Sequence, residues 1–498
     1  MTYAGFDRSI DAFALTLRRM KVGVGDRVAI SLANRPELLI AFFACQKLGA
    51  VAVLLNYGLM ARELQIIAQD CRPSVWLYDE FSVNSLRVSL DRVGLPASAL
   101  ISCGAARISG SRSYRELTEE VSDGGMESPD ITPAAPSLIM YTSGTTGNPK
   151  GVVLSHAAQW INTVLMVAEL LYRESDRALH VAPLYHVAAF HVVALPVLFT
   201  GGCNILVKKY DAAAVDALVA ETKPTTILGA PTHFEMWSRS KSPRDPVAAG
   251  EARGRIRHLM FTGAPIRVDT LAWMKETLSD QIWNVYGQTE ACSLITIVPP
   301  EQLSRMSAVN CIGRPLLGMD VALAAVDGHD AGEAAGARRR GELISRGPKM
   351  MSEYYQLPAK TKEKFVDGWL RTGDLVEVDS DGYYYYLGRV DDLIITGGEN
   401  VYPSEVEDIL MSHPKIEDCV VAGLADDVWG QMIAAYIVPG AAPPSLAELT
   451  EFSKQNLATH KRPRQWYLVD EIPRSPAGKV LVKALRSASL SALGKDAS

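Results

Sequence analysis

The segment with the clearest chemistry is a loop rich in glycine and hydroxyl side chains. An apolar run, Leu138-Ile-Met-Tyr, leads into Thr-Ser-Gly-Thr-Thr-Gly-Asn-Pro and then Lys150. Small residues allow several backbone N–H groups to converge on one point, and the hydroxyls add donors, so a polyphosphate is the natural ligand. The loop is not a Walker A motif, because Pro149 stands where that motif, counted from Gly144, needs its second glycine. Its composition is also too particular for a plain surface turn.

The segments on either side of this loop alternate between strand and helix patterns. Strands are predicted over 27–35, 50–56, 178–184, 204–210 and 225–231, and helices over 36–49, 61–70, 156–170 and 212–221. Such a βαβα order favours a mostly parallel sheet covered by helices. The sequence therefore predicts an α/β protein with the polyphosphate loop at the end of a buried strand.

The sequence texture changes from residue 321 onward, where a turn-rich loop and short strands indicate a smaller β-rich unit. The segment Gly388-Arg-Val-Asp391 then precedes a compact α+β stretch. Glycine beside consecutive charges between two packed units is typical of a hinge. We therefore expect a large N-terminal domain over 1–387, a hinge over 388–391 and a smaller C-terminal domain over 392–498.

Composition and charge narrow the class of protein. The chain has 498 residues, with 50 Lys and Arg against 56 Asp and Glu, a net charge of −6 and 48% hydrophobic residues. This balance excludes a disordered chain, a collagen and a disulfide mini-protein. A mildly acidic total provides no broad attraction to nucleic acid or to an anionic membrane, so an anionic ligand needs local donors.

Cysteine usage and hydropathy indicate a cytoplasmic location. The seven cysteines lie far apart and form no CxxC pair, which is typical of free thiols in a reducing compartment. Residues 1–20 carry charges throughout and lack the apolar core of a signal peptide. The most membrane-like stretch, 187–207, is interrupted by His191, Pro196 and Gly201, so buried strand and helix are predicted there rather than a membrane span.

Further short motifs follow the loop in a fixed order. They are Ala182-Pro-Leu-Tyr-His186, Thr262-Gly-Ala-Pro265, Asn284-Val-Tyr-Gly-Gln-Thr-Glu290, Gly341-Glu-Leu-Ile-Ser-Arg-Gly347, Trp369-Leu-Arg-Thr-Gly-Asp374, Gly388-Arg-Val-Asp391, Thr396-Gly-Gly-Glu-Asn-Val-Tyr-Pro403 and Pro473-Arg-Ser-Pro-Ala-Gly-Lys479. With the loop, they resemble the adenylate-forming superfamily of acyl-CoA synthetases, peptide-synthetase adenylation domains and firefly-type luciferases. The resemblance covers nearly the whole chain. It implies a large N-terminal domain of helix-flanked β-sheets with a small β-barrel-like unit, and a smaller, mobile α+β C-terminal domain.

The chemistry of this family explains the residue types in its motifs. A carboxylate is a poor electrophile, and its attack on the α-phosphorus of ATP makes an acyl-AMP from which a thiol displaces AMP. Negative charge crowds around the α-phosphate in the first step, so cations and oriented donors are needed there. The resemblance implies that the β- and γ-phosphates are held by Thr142, Ser143, Gly144, Thr145, Thr146 and Gly147, with Lys150 steadying the loop or the pyrophosphate. Glu290 would ligate Mg²⁺, and Thr289 would donate to the α-phosphate.

The remaining nucleotide contacts are also implied by the resemblance. Adenine would lie in a slot lined by Gly263, Ala264, Pro265 and the ring of Tyr286. Asp374 would accept both ribose hydroxyls, a task that suits a carboxylate with two oxygens. Arg389 would contact the ribose or phosphates, and Lys479 would bridge the carboxylate oxygen and the α-phosphate. Taken singly, Asp374 could cap a turn, Glu290 could form a surface ion pair and Lys479 could be a solvated lysine, but their joint order favours catalysis over a non-catalytic nucleotide-binding homologue.

The C-terminal domain is implied to serve both half-reactions. Asp391 falls at the family's hinge position. The domain would first deliver Lys479 and then rotate to present Gly397, Gly398 and Glu399 to a channel for the pantetheine of CoA. Free CoA is the expected acceptor, because the large domain has no room for the insertion of carrier-protein-loading ligases and no carrier domain follows Lys479.

The acid pocket is implied by the motif that contains His186, which would act as a gate. Its lining would be Tyr185, Phe190, His191, Thr232, His233, Ala291 and Cys292. His186 and His191 are five residues apart, the wrong spacing for a helical metal pair. Amino-acid-activating members place an Asp near 234–235 to hold the α-ammonium group; Glu235 stands there instead, and the neighbouring segment 186–193 is apolar, so an acid without an amino group is favoured.

Small pocket residues leave room for a bulky acid, and Pro-Leu-Tyr-His-Val-Ala-Ala-Phe190 is similar to feruloyl- and coumaroyl-type ligases. An aromatic or arylpropenoic acid is therefore predicted, with a medium- or long-chain fatty acid as the alternative. The expected partners are this acid, ATP and CoA, with no nucleic acid and no membrane span. A homodimer is compatible with the sequence.

Overall fold

The computed structural model covers the whole chain and describes most of it in detail. The described residues are 1–119, 129–142, 149–240, 254–303, 310–326, 339–397, 399–426, 428–474, 480–487 and 492–495.

The strands of the described chain are β1 (Arg27–Ser31), β2 (Val51–Leu54), β3 (Val75–Tyr78), β4 (Leu100–Ser102), β5 (Arg112–Ser113), β6 (Pro136–Thr142), β7 (Lys150–Ser155), β8 (Arg177–His180), β9 (Cys203–Leu206), β10 (Thr226–Gly229), β11 (His258–Phe261), β12 (Ile282–Gln288), β13 (Ser293–Val298), β14 (Cys311–Pro315), β15 (Asp320–Ala324), β16 (Arg339–Arg346), β17 (Glu353–Tyr354), β18 (Phe365–Val366), β19 (Trp369–Val378), β20 (Tyr384–Arg389), β21 (Ile394–Thr396), β22 (Glu399–Val401), β23 (Ile416–Asp426), β24 (Gly430–Pro439), β25 (Gln465–Leu468) and β26 (Ala492–Lys495).

The α-helices are α1 (Tyr3–Arg19), α2 (Pro36–Leu48), α3 (Ala61–Cys71), α4 (Val83–Val93), α5 (Tyr114–Glu119), α6 (His156–Leu170), α7 (Leu195–Phe199), α8 (Ala212–Thr222), α9 (Pro231–Ser240), α10 (Val268–Thr277), α11 (Pro300–Leu303), α12 (Pro358–Lys364), α13 (Pro403–Met411), α14 (Leu446–Asn456) and α15 (Val482–Ser487). Their ends follow local chemistry. Thr2 caps α1 by accepting the Gly5 N–H, and Ser155 caps α6 by accepting the Ala158 N–H. Helix α2 begins with Pro36 and ends at Gly49, which adopts φ +67°.

The first sheet has eight strands in the order β17-β7-β6-β2-β1-β3-β4-β5. Strands β1 to β6 pair in parallel, as the βαβα pattern predicts, and β7 returns antiparallel to β6. The outermost strand is β17, whose Glu353 pairs with Val153 of β7 from a distant part of the chain. The central strands β1, β2 and β3 are buried almost along their whole length, as expected for parallel strands covered by helices.

The second sheet has twelve strands, and its main path is β15-β16-β19-β20-β14-β13-β12-β11-β10-β8-β9, with β18 paired to β19. Its β8–β12 part is parallel, and its β13–β20 part is antiparallel. The β-rich unit expected after residue 321 is present, and its strands continue this sheet through the β14–β20 pairing. The third sheet contains only strands that follow residue 393, namely β21 to β26.

Most predicted elements agree with the structure to within a few residues. The helix predicted over 156–170 is α6, and the helix predicted over 212–221 is α8. The membrane-like stretch forms a buried π-helical segment, Ala188–Ala194, followed by α7 and β9. Within the described ranges, no helix has both the length and the apolar character needed to cross a bilayer.

The C-terminal domain packs on the large domain next to β20. Helix α13 lies against this strand, and the Ser404 hydroxyl donates to the Leu387 carbonyl. Glu405 of the same helix is 3.0 Å from Arg340 of β16. Tyr402 completes a small apolar cluster with Leu375 and Leu387. These contacts fix the domain beside the strand that carries Arg389.

Candidate functional site

The centre of the site is a buried carboxylate, Asp374, between two strands of the second sheet. Asp374 of β19 pairs in register with Arg389 of β20, and Arg389 Nη1 lies 2.6 Å from Asp374 Oδ1. The Tyr286 hydroxyl of β12 donates to Asp374 Oδ2 over 2.6 Å. Both carboxylate oxygens are thus held, and three residues predicted to surround the nucleoside meet at one point.

Electrostatics at this point follow from burial and charge. Burial raises the pKa of Tyr286, and the negative charge of Asp374 raises it further, so the phenol keeps its proton. Burial alone would lower the pKa of Arg389, but Asp374 raises it above its usual value. The cluster is therefore a neutral phenol and an ion pair at neutral pH.

A turn before Asp374 fixes its position. Gly373 has φ +76°, a backbone conformation that favours glycine. A Cβ atom there would also lie only 3.0 Å from Arg389 Nη2, so a side chain is disfavoured by both the backbone conformation and the lack of space. The Thr372 hydroxyl accepts the Asp374 N–H over 3.1 Å and donates to the Leu343 carbonyl over 2.5 Å. The predicted Thr-Gly-Asp motif is therefore a rigid support for the carboxylate.

A second carboxylate, Glu290, lies beside the ends of the predicted phosphate loop. Glu290 is in a 3₁₀ turn, Thr289–Ala291, directly after β12, and it is buried. Its Oε1 accepts the Tyr354 hydroxyl over 2.6 Å, and Lys150 Nζ lies 5.3 Å from the centre of the Tyr354 ring. Thr142 and Lys150 pair across β6 and β7, so they form the base of the loop.

The loop residues Ser143, Gly144, Thr145, Thr146 and Gly147 lie outside the described residues. Its base nevertheless brings Thr142 and Lys150 to the Tyr354–Glu290 pair. Mg²⁺ prefers one or two carboxylate oxygens together with phosphate oxygens. A single buried carboxylate beside a phosphate loop fits this preference. No cluster of three or more His, Cys, Asp or Glu suited to a metal occurs among the residues that the structure describes.

Lys364, at the end of α12, contacts the turn before Asp374. Its Nζ donates to the Thr372 carbonyl over 3.3 Å. Burial lowers the pKa of Lys364, whereas the charges of Glu290 and Asp374 act to raise it. The lysine therefore adds positive charge between the predicted ribose and phosphate positions. Sequence analysis missed Lys364, because the lysine-rich segment 358–364 is typical of a solvated helix.

The adenine and acid residues follow the carboxyl ends of parallel strands. Gly263, Ala264 and Pro265 follow β11, Thr232 and His233 follow β10, and Tyr185 and His186 follow β8. Because these strands are parallel neighbours, their loops meet at one edge of the sheet, which is where ligands bind in such sheets. The topology thus brings the predicted adenine slot and acid pocket to the same edge as Tyr286 and Glu290.

Histidines of the predicted acid pocket are uncharged at neutral pH. Burial lowers the pKa of His186, and it lowers those of His191 and His233 to about 3 and about 4. His191 Nε2 is 3.1 Å from Gln159 Oε1, and His233 Nδ1 accepts the Ala230 N–H over 3.0 Å. The His186 Nδ1 accepts the Ala188 N–H over 3.3 Å. These contacts are structural and do not form a metal site.

Aromatic rings accumulate beside the predicted gate. The rings of Tyr57 and Tyr185 meet edge to face at 5.6 Å, and Phe81 lies 5.6 Å from Tyr57. Phe190 instead packs edge to face on Phe42 at 4.9 Å and is fully buried in the main core. Ala291 and Cys292 are also fully buried.

A buried lysine supports the backbone beside Ala291 and Cys292. Lys349 is fully buried, and its Nζ donates to the carbonyls of Ala291 and Leu294 over 2.9 and 2.6 Å. The backbone between these carbonyls is strained, with φ +53° at Cys292 and φ +132° at Ser293. The Met351 N–H also donates a hydrogen bond to the Glu290 carbonyl over 2.8 Å. The segment 349–354 therefore holds the Glu290 turn. This role was not predicted from the Gly347-Pro-Lys349 sequence that leads into the segment.

Lys349 gives a pH-dependent prediction for stability. Burial lowers its pKa to about 8, from 10.5 in an unfolded chain. Between these values the unfolded chain binds a proton that the folded chain has released, so stability rises with pH. We expect wild type to gain about 2 kcal/mol relative to Lys349→Met between pH 7.5 and 9.5, at 1.36 kcal/mol per unit of pKa shift.

Denaturant unfolding at the two pH values measures this difference. Lys275→Met, which changes an exposed lysine of α10, is the matched control and should track wild type at both values. If the difference in free energy of unfolding between wild type and Lys349→Met were the same at both pH values, the lowered pKa of Lys349 would be contradicted.

The predicted hinge and CoA-channel residues belong to the start of the third sheet. Asp391 is exposed in a 3₁₀ turn, Val390–Asp392. Gly397 has φ +60° at the tip of the β21–β22 hairpin, and its N–H donates to the Trp429 carbonyl over 2.9 Å. Glu399 of β22 is exposed. Among the described residues, this hairpin pairs with β24 and not with the strands of the Asp374 cluster. Gly398 and Lys479 lie outside the described residues.

Comparisons with known proteins identify the family of the chain. A family model for AMP-binding enzymes matches residues 1–355, and one for the AMP-binding enzyme C-terminal domain matches residues 405–479. A feruloyl-CoA synthase from an Amycolatopsis species is 32% identical over 490 residues, which are 98% of this chain and 93% of that protein. A long-chain-fatty-acid–CoA ligase from Mycobacterium tuberculosis is 31% identical over 499 residues, 98% of this chain and 92% of that protein.

Solved structures show the same fold. ATP-bound MatB from Rhodopseudomonas palustris superposes with a TM-score of 0.85 at 27% identity, covering 97% of this chain and 92% of that one. The same protein without ligand superposes with a TM-score of 0.75 at 27% identity, covering 98% and 93%. The matched family models and the relatives lead to one conclusion: the chain belongs to the AMP-binding enzymes of the adenylate-forming superfamily and is an AMP-forming acid–CoA ligase that uses ATP and CoA.

Proposed function

We propose that this ligase activates an aromatic or arylpropenoic acid as its acyl-AMP, with Mg²⁺ held by Glu290, and then transfers the acyl group to CoA. The observation that carries the assignment of the nucleotide site is the buried Asp374, held by Tyr286 and Arg389, with Lys364 bound to the nearby Thr372 carbonyl. The ribose hydroxyls of a nucleotide need a hydrogen-bond acceptor, and its phosphates need positive charge nearby.

In this proposal, the chain's own groups bind and orient ATP. The oxygens of Asp374 exchange part of their contacts with Tyr286 and Arg389 for the ribose hydroxyls. Lys150, Lys364 and Arg389 provide positive charge for the phosphates, and Thr289 donates to the α-phosphate. Lys479 stabilises the charge that develops as the carboxylate attacks. When bound, Mg²⁺ supplies charge neutralisation of the phosphate oxygens.

The choice of acid is supported by the pocket's chemistry. Tyr57, Tyr185 and Phe81 provide aromatic edges and faces, which suit a planar substrate. Glu235, the one acid near the expected ammonium position, is instead surrounded by Arg267, Arg474 and Arg239. An amino acid therefore lacks its partner here, and an acid without an amino group fits better. The feruloyl-CoA synthase and fatty-acid–CoA ligase among the relatives correspond to the favoured class and its alternative.

Pyrophosphate release with MgATP, measured with and without CoA, tests this proposal. The acids would be benzoate, cinnamate, ferulate, octanoate, palmitate and a few amino acids. We expect ferulate or cinnamate to give the highest kcat/KM with CoA consumed. A preference for octanoate or palmitate would support the fatty-acid alternative and contradict the aromatic assignment. Replacing Mg²⁺ with a chelator should abolish release.

We also propose a cytoplasmic location. All seven cysteines are free thiols, and all but Cys203 are buried. Free thiols in this number are typical of a reducing compartment.

A further inference from the structure

Charged side chains of both domains meet at one point away from the nucleotide cluster. The large domain contributes Glu235 and Arg239 from α9, and Arg267 from the residue before α10. The C-terminal domain contributes Glu417 and Asp418 from β23, and Arg474 from near the chain's end. We call these residues the interdomain charge cluster.

Direct contacts join its members across the domains. Arg267 Nη1 donates to the Glu417 carbonyl over 2.6 Å, and Arg239 Nη2 lies 3.3 Å from Glu417 Oε1. A β-bulge between Ile416 and Asp418 takes Glu417 out of the regular ladder with β24. A bulge re-aims the backbone, and here it leaves the Glu417 carbonyl available to Arg267.

The cluster continues to the residues on either side of segment 475–479, which contains Lys479 and lies outside the described residues. Arg474 Nη2 is 2.8 Å from Asp418 Oδ2, and Arg474 also pairs with Val480 as an isolated antiparallel bridge. The Leu481 N–H donates to the Pro473 carbonyl over 2.8 Å. Arg474 and Val480, which flank this segment, are therefore paired with each other, and Arg474 is tied through Asp418 to the strand that Arg267 and Arg239 hold.

Glu235 indicates that the cluster is shared. Burial raises the pKa of this carboxyl, and Arg267, Arg474 and Arg239 together oppose the rise. One acid thus interacts with arginines of both domains.

The whole chain superposes better on ATP-bound MatB, with a TM-score of 0.85, than on ligand-free MatB, with a TM-score of 0.75.

We propose that the interdomain charge cluster holds the C-terminal domain in the arrangement that forms acyl-AMP, and that Arg239 and Arg267 are positioning residues for that half-reaction alone. The proposal rests on the proposed function of Lys479. Exposed ion pairs are individually weak and screened by salt, so the cluster can release the C-terminal domain for the second half-reaction. No bond is made or broken, since only the population of one domain arrangement changes.

The test compares the two half-reactions in a double variant, Arg239→Glu with Arg267→Gln. Acid-dependent ATP–pyrophosphate exchange should fall about tenfold in kcat, as expected for two lost contacts and one new repulsion. The KM for ATP should stay unchanged, because Asp374 is not altered. Thioester formation from supplied acyl-AMP and CoA should be at least as fast as in wild type. Arg115→Gln, which breaks an exposed pair within α5, is the matched control.

A charge swap makes the test specific to the cluster. Arg239→Glu alone should slow exchange about threefold, and adding Glu417→Arg should restore it to within about twofold. Equal loss of both half-reactions, or no rescue by the swap, would overturn the proposal. Small-angle X-ray scattering gives a readout that does not need activity: the scattering profile of the double variant should differ from that of wild type, and an unchanged profile would also overturn the proposal. A wild type without acid-dependent exchange would instead contradict the proposed function.

Discussion

Replacement of Lys479 by alanine is expected to slow acid-dependent pyrophosphate release by about 10²- to 10³-fold, the usual effect of removing one preorganised group that stabilises developing charge. The lysine would place positive charge between the attacking carboxylate oxygen and the α-phosphate, where negative charge accumulates. The second half-reaction starts from acyl-AMP, in which that bond already exists. Thioester formation from supplied acyl-AMP and CoA should therefore remain close to wild type.

Separate assays of the two half-reactions measure this effect. Lys454→Ala, an exposed lysine of α14 in the same domain, controls for a general change in charge. A similar loss in both half-reactions would show that Lys479 supports the fold or CoA binding rather than adenylation.

Replacement of Asp374 by asparagine should raise the KM for ATP by about 10- to 100-fold, because hydrogen bonds to a charged group contribute about 1.5–3 kcal/mol. Asparagine keeps the shape of the side chain but offers only one acceptor oxygen. It also leaves the half-buried Arg389 without its counter-charge, so the free energy of unfolding should fall by about 2–4 kcal/mol. Thermal unfolding and steady-state kinetics measure the two effects.

A double variant separates binding from stability. Asp374→Asn with Arg389→Gln removes the unpaired charge, so it should recover most of the lost stability. The KM for ATP should remain high, because the ribose acceptor is still absent. Recovery of the KM together with stability would mean that Asp374 acts only as a partner for Arg389.

Local chemistry made much of the fold and of the nucleotide site predictable. Helix α6 could be predicted to its ends because apolar periodicity and the Ser155 cap are both local signals. Asp374 and Glu290 could be named as candidates because their motifs occur together in a fixed order along the chain. The structure adds that Arg389 reaches Asp374 through strand register.

The supporting residues could not be predicted in the same way. Lys349 and Tyr354 reach the Glu290 turn from about sixty residues along the chain, through contacts that no periodicity encodes. Lys364 is similar, since its role depends on the approach of α12 to Thr372. The sheet that unites β14 with β20 is also non-local, and pattern alone favoured a separate β-rich unit. Burial of charge is decided by tertiary structure, which explains why these lysines were missed.

The pairing of β17 with β7 has a consequence for synthesis of the chain on the ribosome. Glu353 of β17 pairs with Val153 of β7 at the edge of the first sheet. The ribosome must therefore add about 200 residues after Val153 before β17 can cover that edge. At about 5–20 residues per second, this interval lasts about 10–40 s. Throughout it, the nascent β7 presents unpaired backbone groups of an apolar strand, the kind of edge that invites aggregation. Holding chaperones are therefore expected to matter most for this protein while translation passes between these two strands.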